Sequence, residues 1–352
     1  MVVTVGIDVH KKTHCAVAVD EAGRPLGRPV TVRATDAGHR QLLRWAQRTF
    51  ADERVEFAVE DCRHVSVRLE RALLAAGAVV LRVPPKLMAQ TRSSARTRGK
   101  SDPIDALAVA RACLREPHLP RAEHTHASRE VKLLVDHRDD LVATRTREQN
   151  RLRWHLHELD PEFDPPARGL DRMRQLDRVQ ARLEALPPTL VRRIAVELLA
   201  DIRDLTRRIN ALETELAVLV KAQAPQLLAL PGCGVLTAAK LLGETANPAR
   251  FRSEAAFAMH AGVAPIPACS GKTDRHRLAR GGNRQLNAAL HRIALTQTRL
   301  DGLGRAYYQH RRAGGDTTME ALRALKRRLA RVVFNLLRPT DQPNAASLPQ
   351  AA

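Results

Sequence analysis

Aromatic side chains are scarce in this sequence: Phe, Trp and Tyr make up only 3% of its 352 residues. That excludes a surface built mainly of stacked rings, the usual platform for unpaired bases, so a polyanionic ligand would be held chiefly through its phosphates. The five cysteines (Cys15, Cys62, Cys113, Cys233, Cys269) form no C-x-x-C, which argues against a zinc ribbon or a disulfide framework and suits reduced thiols in a cytoplasm. No apolar run approaches the ~20 residues of a spanning helix, so no membrane partner is expected. The first apolar segment is broken by Asp8 and has no basic stretch before it, unlike a secretory leader. Fourteen histidines are present, yet His124 and His126, like His155 and His157, are spaced i,i+2 and diverge on a helix. Carboxylates are in deficit: 38 acidic against 58 basic residues leave a net charge of +20 and a pI near 11.0. This balance points to a polyanion, nucleic acid first.

What is present is a foldable chain, 44% hydrophobic and long enough for two or three domains. Residues 2–9, 14–20 and 29–34 are β-rich with short turns between them and predict an antiparallel meander. Asp36 fits the N-cap of a helix reaching Phe50, with Leu42, Leu43, Trp45 and Ala46 facing inward. A strand at 55–60, a helix from Val65 to Ala76 and a strand at 78–83 add a βαβ unit. The expected fold class is therefore α/β followed by all-α, a mixed sheet with helices on its faces and then helical regions.

Pro84 and Pro85 end the last strand, and the stretch after them carries Arg92, Arg96, Arg98 and Lys100 without an acid. It reads either as a solvated loop or as a segment gripping a nucleic-acid strand. Ser101 fits the cap of the next helix, whose first turn holds Pro103 and places Asp102 and Asp105 on one face. The pattern from Pro117 to Pro188 is mainly helical, broken at D-P-E-F-D-P-P, with Arg145, Arg147, Arg151 and Arg153 along one helix. Leu198, Ile202, Leu205, Ile209, Leu212, Leu216 and Leu219 then form a heptad seam, read as a coiled coil or helical hairpin and favouring self-association.

After Pro225, the segment L-L-A-L-P-G-C-G-V-L-T-A-A-K-L-L-G-E has the layout of a helix-hairpin-helix, in which Gly232 and Gly234 would let backbone N–H groups approach a phosphate. An ordinary αα turn with glycine caps is the plainer alternative. Farther on, Ser270 sits among Lys272, Arg275, Arg277, Arg280 and Arg284, opposed by Asp274. A basic amphipathic helix from Thr318 to Leu337 precedes a polar tail expected to be disordered. The predicted regions are 1–117 (catalytic), 118–223 (helical, coiled-coil and oligomerising), 224–338 (C-terminal, with helix-hairpin-helix and serine) and 339–352 (tail).

Four acids carry the chemistry. Asp8 in G-I-D-V lies inside a buried-looking strand where it caps nothing, and an unpaired buried carboxylate is costly. With Glu60, Asp102 and Asp105 it would form an oxygen cage for Mg²⁺. Asp20 and Asp61 are the substitutes should one be misassigned.

The ordered set G-I-D-V-H-K, a Glu after a strand, K-S-D-P-I-D-A, P-G-C-G, A-G-V-A-P-I-P-A-C-S-G-K and G-G-N-R-Q-L resembles the DEDD-type insertion-sequence transposases, the IS110 group, over residues 1–338. The resemblance implies an N-terminal fold of the ribonuclease H type, like the Holliday-junction resolvase RuvC, and a C-terminal transposase domain whose serine attacks DNA. It implies double-stranded donor and target DNA and a structured non-coding guide RNA as partners. The expected assembly is a homo-oligomer, a dimer forming a tetramer in the synaptic complex, in a bacterial cytoplasm and on the nucleoid when bound. Asp8, Glu60, Asp102 and Asp105 match the metal-binding acids, and Ser270 matches the nucleophile. After Glu60 this chain has D-C-R-H where members are often small and Gly-containing, which places Arg63 and His64 near the site.

Other readings stand beside this one. A metal-dependent structure-specific nuclease would need the acids and water but not Ser270. A basic binding protein would use the acids only as caps. Cys269 could rival Ser270, although a phosphothioester is a poor product. A tyrosine recombinase using Tyr307 or Tyr308 with His291 and Arg292 leaves the four acids unexplained.

Overall fold

The computed structural model describes residues 1–60, 65–84, 87–88, 91, 101–116, 119, 121–123, 126–268, 276–277, 279 and 281–338. The described residues fall into two compact units: those within 1–125, 246–287 and 319–338 form one, and those within 126–245 and 288–318 the other.

The first unit is built on a five-stranded sheet of order β3-β2-β1-β4-β5, with β1 Val2–Val9, β2 Thr13–Val19, β3 Val30–Arg33, β4 Arg54–Glu60 and β5 Val79–Val83. The first three strands run antiparallel as a meander, and β1–β4 and β4–β5 pair in parallel. This is the mixed sheet, an antiparallel meander continued by parallel strands, expected of the chain.

The two faces of β1 differ as period-2 geometry requires. Val3, Val5, Ile7 and Val9 point into a core with Leu42 and Ala46 of α1 (Asp36–Thr49) and Leu69 and Leu73 of α2 (Val67–Ala75). The opposite face, with Thr4, Gly6 and Asp8, lies under α3 (Asp102–Arg115). Alanines 106 and 110 of that helix pack on Cys15, Val17 and Val19. Thr35, not Asp36, is the N-cap of α1: its hydroxyl accepts from the Gly38 N–H at 3.2 Å, and Asp36 is the first helical residue, paired at 2.8 Å with Arg68. A threonine in extended backbone can aim its Oγ1 at the third N–H of the helix.

Later segments complete this unit. Arg121 forms an isolated antiparallel bridge with Leu81, and the Ala122 N–H donates to the Val80 carbonyl at 2.7 Å. On that edge the Asn247 amide donates to Glu123, and Arg250 donates to the Arg121 carbonyl at 3.4 Å. Asn287 donates to the carbonyls of Ala261 (3.2 Å) and Gly262 (2.8 Å) and accepts from the buried ammonium of Lys326 at 2.9 Å.

The second unit is helical: α4 His126–Leu159, α5 Met173–Glu184, α6 Leu190–Gln223, the single turn α7 Pro225–Leu228 and α8 Val235–Thr245. The heptad seam lies on α6 and is filled within the chain. Leu198 and Ile202 pack with Leu152 and Leu156 of α4 and with Leu176, Val179 and Leu183 of α5, while Leu205 and Ile209 meet Leu141. The seam therefore supplies no argument for self-association, because a heptad pattern states that a helix pairs and not which helix it pairs with.

Of the four α4 arginines singled out in the sequence (Arg145, Arg147, Arg151 and Arg153), two are structural. Arg145 donates to Thr206, and Arg153 braces the break after α4 by bonding Asp164 and the Pro165 and Pro166 carbonyls. An ion network ties α8 to α4, with Lys132 2.5 Å from Glu244 and Lys240 2.7 Å from Asp139. Among the described residues, no helix is long and apolar enough to cross a membrane.

Candidate metal centre

A glycine positions the site. A Cβ on Gly6 would lie 2.2 Å from the Ala106 carbonyl oxygen and 2.4 Å from the Ala110 nitrogen, so α3 rests directly on the backbone of β1. Its small residues, Ala106, Ala108, Ala110 and Ala112, permit that approach. Asp8 is two residues beyond Gly6 on the same face, and the first turn of α3 carries Asp102 and Asp105.

The Asp8 carboxylate is buried, and its Oδ2 lies 3.0 Å from the Nε2 of His10. The same Nε2 is 3.5 Å from Oδ1 of Asp102, which is half exposed. One ligand atom from each of Asp8, His10 and Asp102 lies within 4.8 Å of the other two. Burial pushes the Asp8 carboxyl above its ordinary range; His10 opposes this, while the negative charges of Asp105 and Asp102 push in the same direction. Asp105 is itself buried.

Several oxygen donors with mutually repelling charges, one held at a cost in a closed environment, suit a hard divalent cation, which would relieve both the desolvation and the repulsion. Asp8, His10 and Asp102 would hold it, with Asp105 adding negative charge beside Asp8 without being one of the three converging residues.

Glu60 ends β4. Ile7 pairs with Val59, so Glu60 stands level with Asp8 on the adjoining strand, half-buried, but it is not among the three residues whose ligand atoms converge. Asp20 is committed elsewhere: its carboxylate accepts from the backbone N–H groups of Ala22 and Arg24 and from the Arg24 side chain, which together hold its pKa below the usual range against the cost of burial.

Ser270, Lys272, Arg275, Arg280, Cys269, Asp61, Arg63, His64, Arg92, Arg96, Arg98 and Lys100 lie outside the described residues. In sequence, Ser270 falls between β6 (Ile266–Pro267) and β7 (His276–Arg277), which pair antiparallel. Arg277 is exposed in β7, and Arg284 is exposed at the start of α10 (Arg284–Gln297), the helix that follows α9 (Glu254–His260).

At the expected helix-hairpin-helix, the first arm is only the four-residue α7. Gly232 has φ 83°, and a Cβ there would come within 2.9 Å of Thr296, so packing within the chain accounts for this glycine. Gly234 has open space around it. Tyr307 and Tyr308 lie half-exposed on α11 (Leu303–Ala313).

His10 is the residue that sequence reasoning missed. Its signal was present: residues two apart diverge on a helix but share a face on a strand, and D-V-H stands where β1 ends.

Residues 5–161 match a model of DEDD-type transposases of the IS110 group, described as a transposase, and residues 224–309 match the transposase IS116/IS110/IS902 family. The 44.8 kDa protein of insertion element IS116 from Streptomyces clavuligerus is 28% identical over 382 residues, covering 95% of this chain and 94% of that protein. The 42 kDa protein of insertion element IS900 from Mycobacterium paratuberculosis is 29% identical over 383 residues, 95% of each chain. The 43.6 kDa protein of insertion element IS110 from Streptomyces coelicolor is 28% identical over 310 residues, 75% of this chain and 76% of that one. Among solved structures, T. thermophilus RuvC in complex with a Holliday junction substrate aligns with a TM-score of 0.27 and 17% identity, over 35% of this chain and all of that one.

Proposed function

This chain belongs to the IS116/IS110/IS902 family of transposases, and from that premise we propose that it cuts and rejoins DNA through a covalent serine intermediate supported by a Mg²⁺ centre. The observation that carries the reading is the convergence of Asp8, His10 and Asp102 at one end of β1, with the charge of Asp105 also felt at Asp8. Glu60, level with Asp8 on β4, would complete the oxygen set. When bound, Mg²⁺ supplies a Lewis acid at the scissile phosphate.

The rest falls to the chain's own residues. The Ser270 oxygen forms an ester with phosphorus, the phosphorus bond to one deoxyribose oxygen breaks, and that oxygen takes up a proton as the serine loses one. A hydroxyl of a second strand then reverses the step on a new partner. Each step exchanges one phosphoester for another, so neither hydrolysis nor ATP is needed. Lys272, Arg275, Arg277, Arg280 and Arg284 offset charge at the reacting phosphate. Arg92, Arg96, Arg98 and Lys100 hold the DNA backbone, and the open space around Gly234 leaves room for a phosphate there. With a net charge of +20, the chain also suits a structured non-coding RNA that pairs with donor and target DNA. Its working form is a homo-oligomer that brings two DNA sites together.

Two substitutions test the scheme. Ser270→Ala should abolish joined products, and Asp102→Asn should abolish both cutting and joining while DNA binding persists. Joined products from Ser270→Ala would overturn the serine intermediate, and unimpaired cutting by Asp102→Asn would remove the metal centre from the reaction.

A further inference from the structure

Trp154 is one of two tryptophans in a chain poor in aromatics, and it stands 75% exposed on α4. An indole of that size in water forgoes a large burial gain, so its surroundings bear on what covers it. At one and two helical turns from it, Arg147, Asn150, Arg151, His157 and Glu158 are also exposed and share its face. Arg147 donates to Thr144 at 3.0 Å, and Arg151 makes a single 3.5 Å contact with Glu148. Their guanidinium groups remain at the surface, about one and two turns from the ring. Glu158 is the one carboxylate exposed on this stripe within a turn of the tryptophan.

We infer that Trp154 is a stacking site for an unpaired base, with Arg147 and Arg151 on the phosphates that flank it. A planar ring beside cations one turn apart matches the repeat of base and phosphate in a single strand. A second copy of this chain fits less well. The apolar part of the stripe is one side chain, far below the ~800 Å² per partner of a stable interface, and a two-fold contact centred on it would bring like-charged arginines together. A duplex hides its base faces and could use only the arginines. The inference rests on the reading of the chain as a nucleic-acid enzyme, and it adds a contact in the helical unit that the reaction chemistry does not require.

The full-length protein carrying Trp45→Phe leaves Trp154 as its only tryptophan; Trp45 is partly buried edge-on to Phe50, where a smaller ring is tolerated. Fluorescence and acrylamide quenching are measured on adding single-stranded RNA, single-stranded DNA or a duplex of equal length. Either single strand should quench the emission and lower the acrylamide constant several-fold, the stronger arm identifying the natural source, while the duplex leaves both unchanged. Trp154→Ala should weaken single-strand binding, read by anisotropy of a labelled oligonucleotide, by about 5- to 150-fold, the range of base–aromatic stacking, and Trp154→Phe should restore most of it. Equal shielding by the duplex overturns the inference, as does single-strand binding with no change in emission. Shielding that grows with protein concentration alone assigns the residue to contact between copies and also overturns it. None of these readouts depends on Ser270, so failure here and failure of the serine intermediate are distinguishable.

Discussion

Gly6→Ala is the smallest change that should disable the metal centre without touching an acid. The added Cβ would stand 2.2 Å from the Ala106 oxygen, 2.4 Å from the Ala110 nitrogen and 2.8 Å from the Ala110 Cβ. The first two are backbone atoms of a helix and cannot turn aside. A close-packed interior offers no void to absorb the methyl group, so α3 must retreat from β1 by about 1 Å. Overpacking of this kind costs about 1–3 kcal/mol of stability in the sheet unit. The larger effect is on chemistry, because Asp102 and Asp105 ride on α3 while Asp8 stays on β1. A displacement of about 1 Å in a reacting constellation costs about 100-fold in rate. The assay is metal-dependent DNA cleavage, with divalent-ion affinity by calorimetry and thermal unfolding measured in parallel. Gly314→Ala is the control, since a Cβ there meets nothing nearer than 3.6 Å. A Gly6→Ala protein with the rate and metal affinity of its parent would refute the claim that helix-on-strand contact sets the site.

The other expectations concern the same cluster. Because the folded-state pKa of Asp8 is raised, the metal-free protein should lose stability as pH rises from the ordinary carboxylate range through that raised value, and divalent-ion affinity should rise across the same interval. Asp8→Asn should thus be at least as stable as its parent at neutral pH without metal, lose that advantage in acid, and gain nothing from added Mg²⁺. Thermal melts with and without the ion at several pH values would show it. His10→Ala removes the imidazole between Asp8 and Asp102 and should weaken divalent-ion binding by about 10- to 100-fold, as loss of a supporting group does, with calorimetry as the measurement.

The sheet and its acids were legible because strand alternation is a local signal. Val3, Val5 and Ile7 alternate with Thr4, Gly6 and Asp8, and burial on both sides of the strand follows from a helix on each. Asp102 and Asp105 were readable as a pair from their spacing in the first turn after Ser101. What escaped was set by tertiary contact. The heptads of α6 do not say that their partner is α4 of the same chain. Nothing local marks Arg145 and Arg153 as packed and braced rather than available to phosphates. The reason for Gly6 appears only once Ala106 and Ala110 lie over it. The cap of α1 shifted by one residue because Thr35 and Asp36 are both good caps and backbone geometry chose between them.

The central claim is that one serine carries the DNA while the acids enable it. The most direct measurement is to react the full-length protein with end-labelled DNA and Mg²⁺, digest it, and find the residue that retains the label by peptide mass spectrometry. The account expects the label on Ser270, none in Ser270→Ala, and none in Asp8→Asn although DNA still binds. Label on Tyr307, Tyr308 or Cys269, or efficient cleavage with no protein-linked DNA at all, would contradict it.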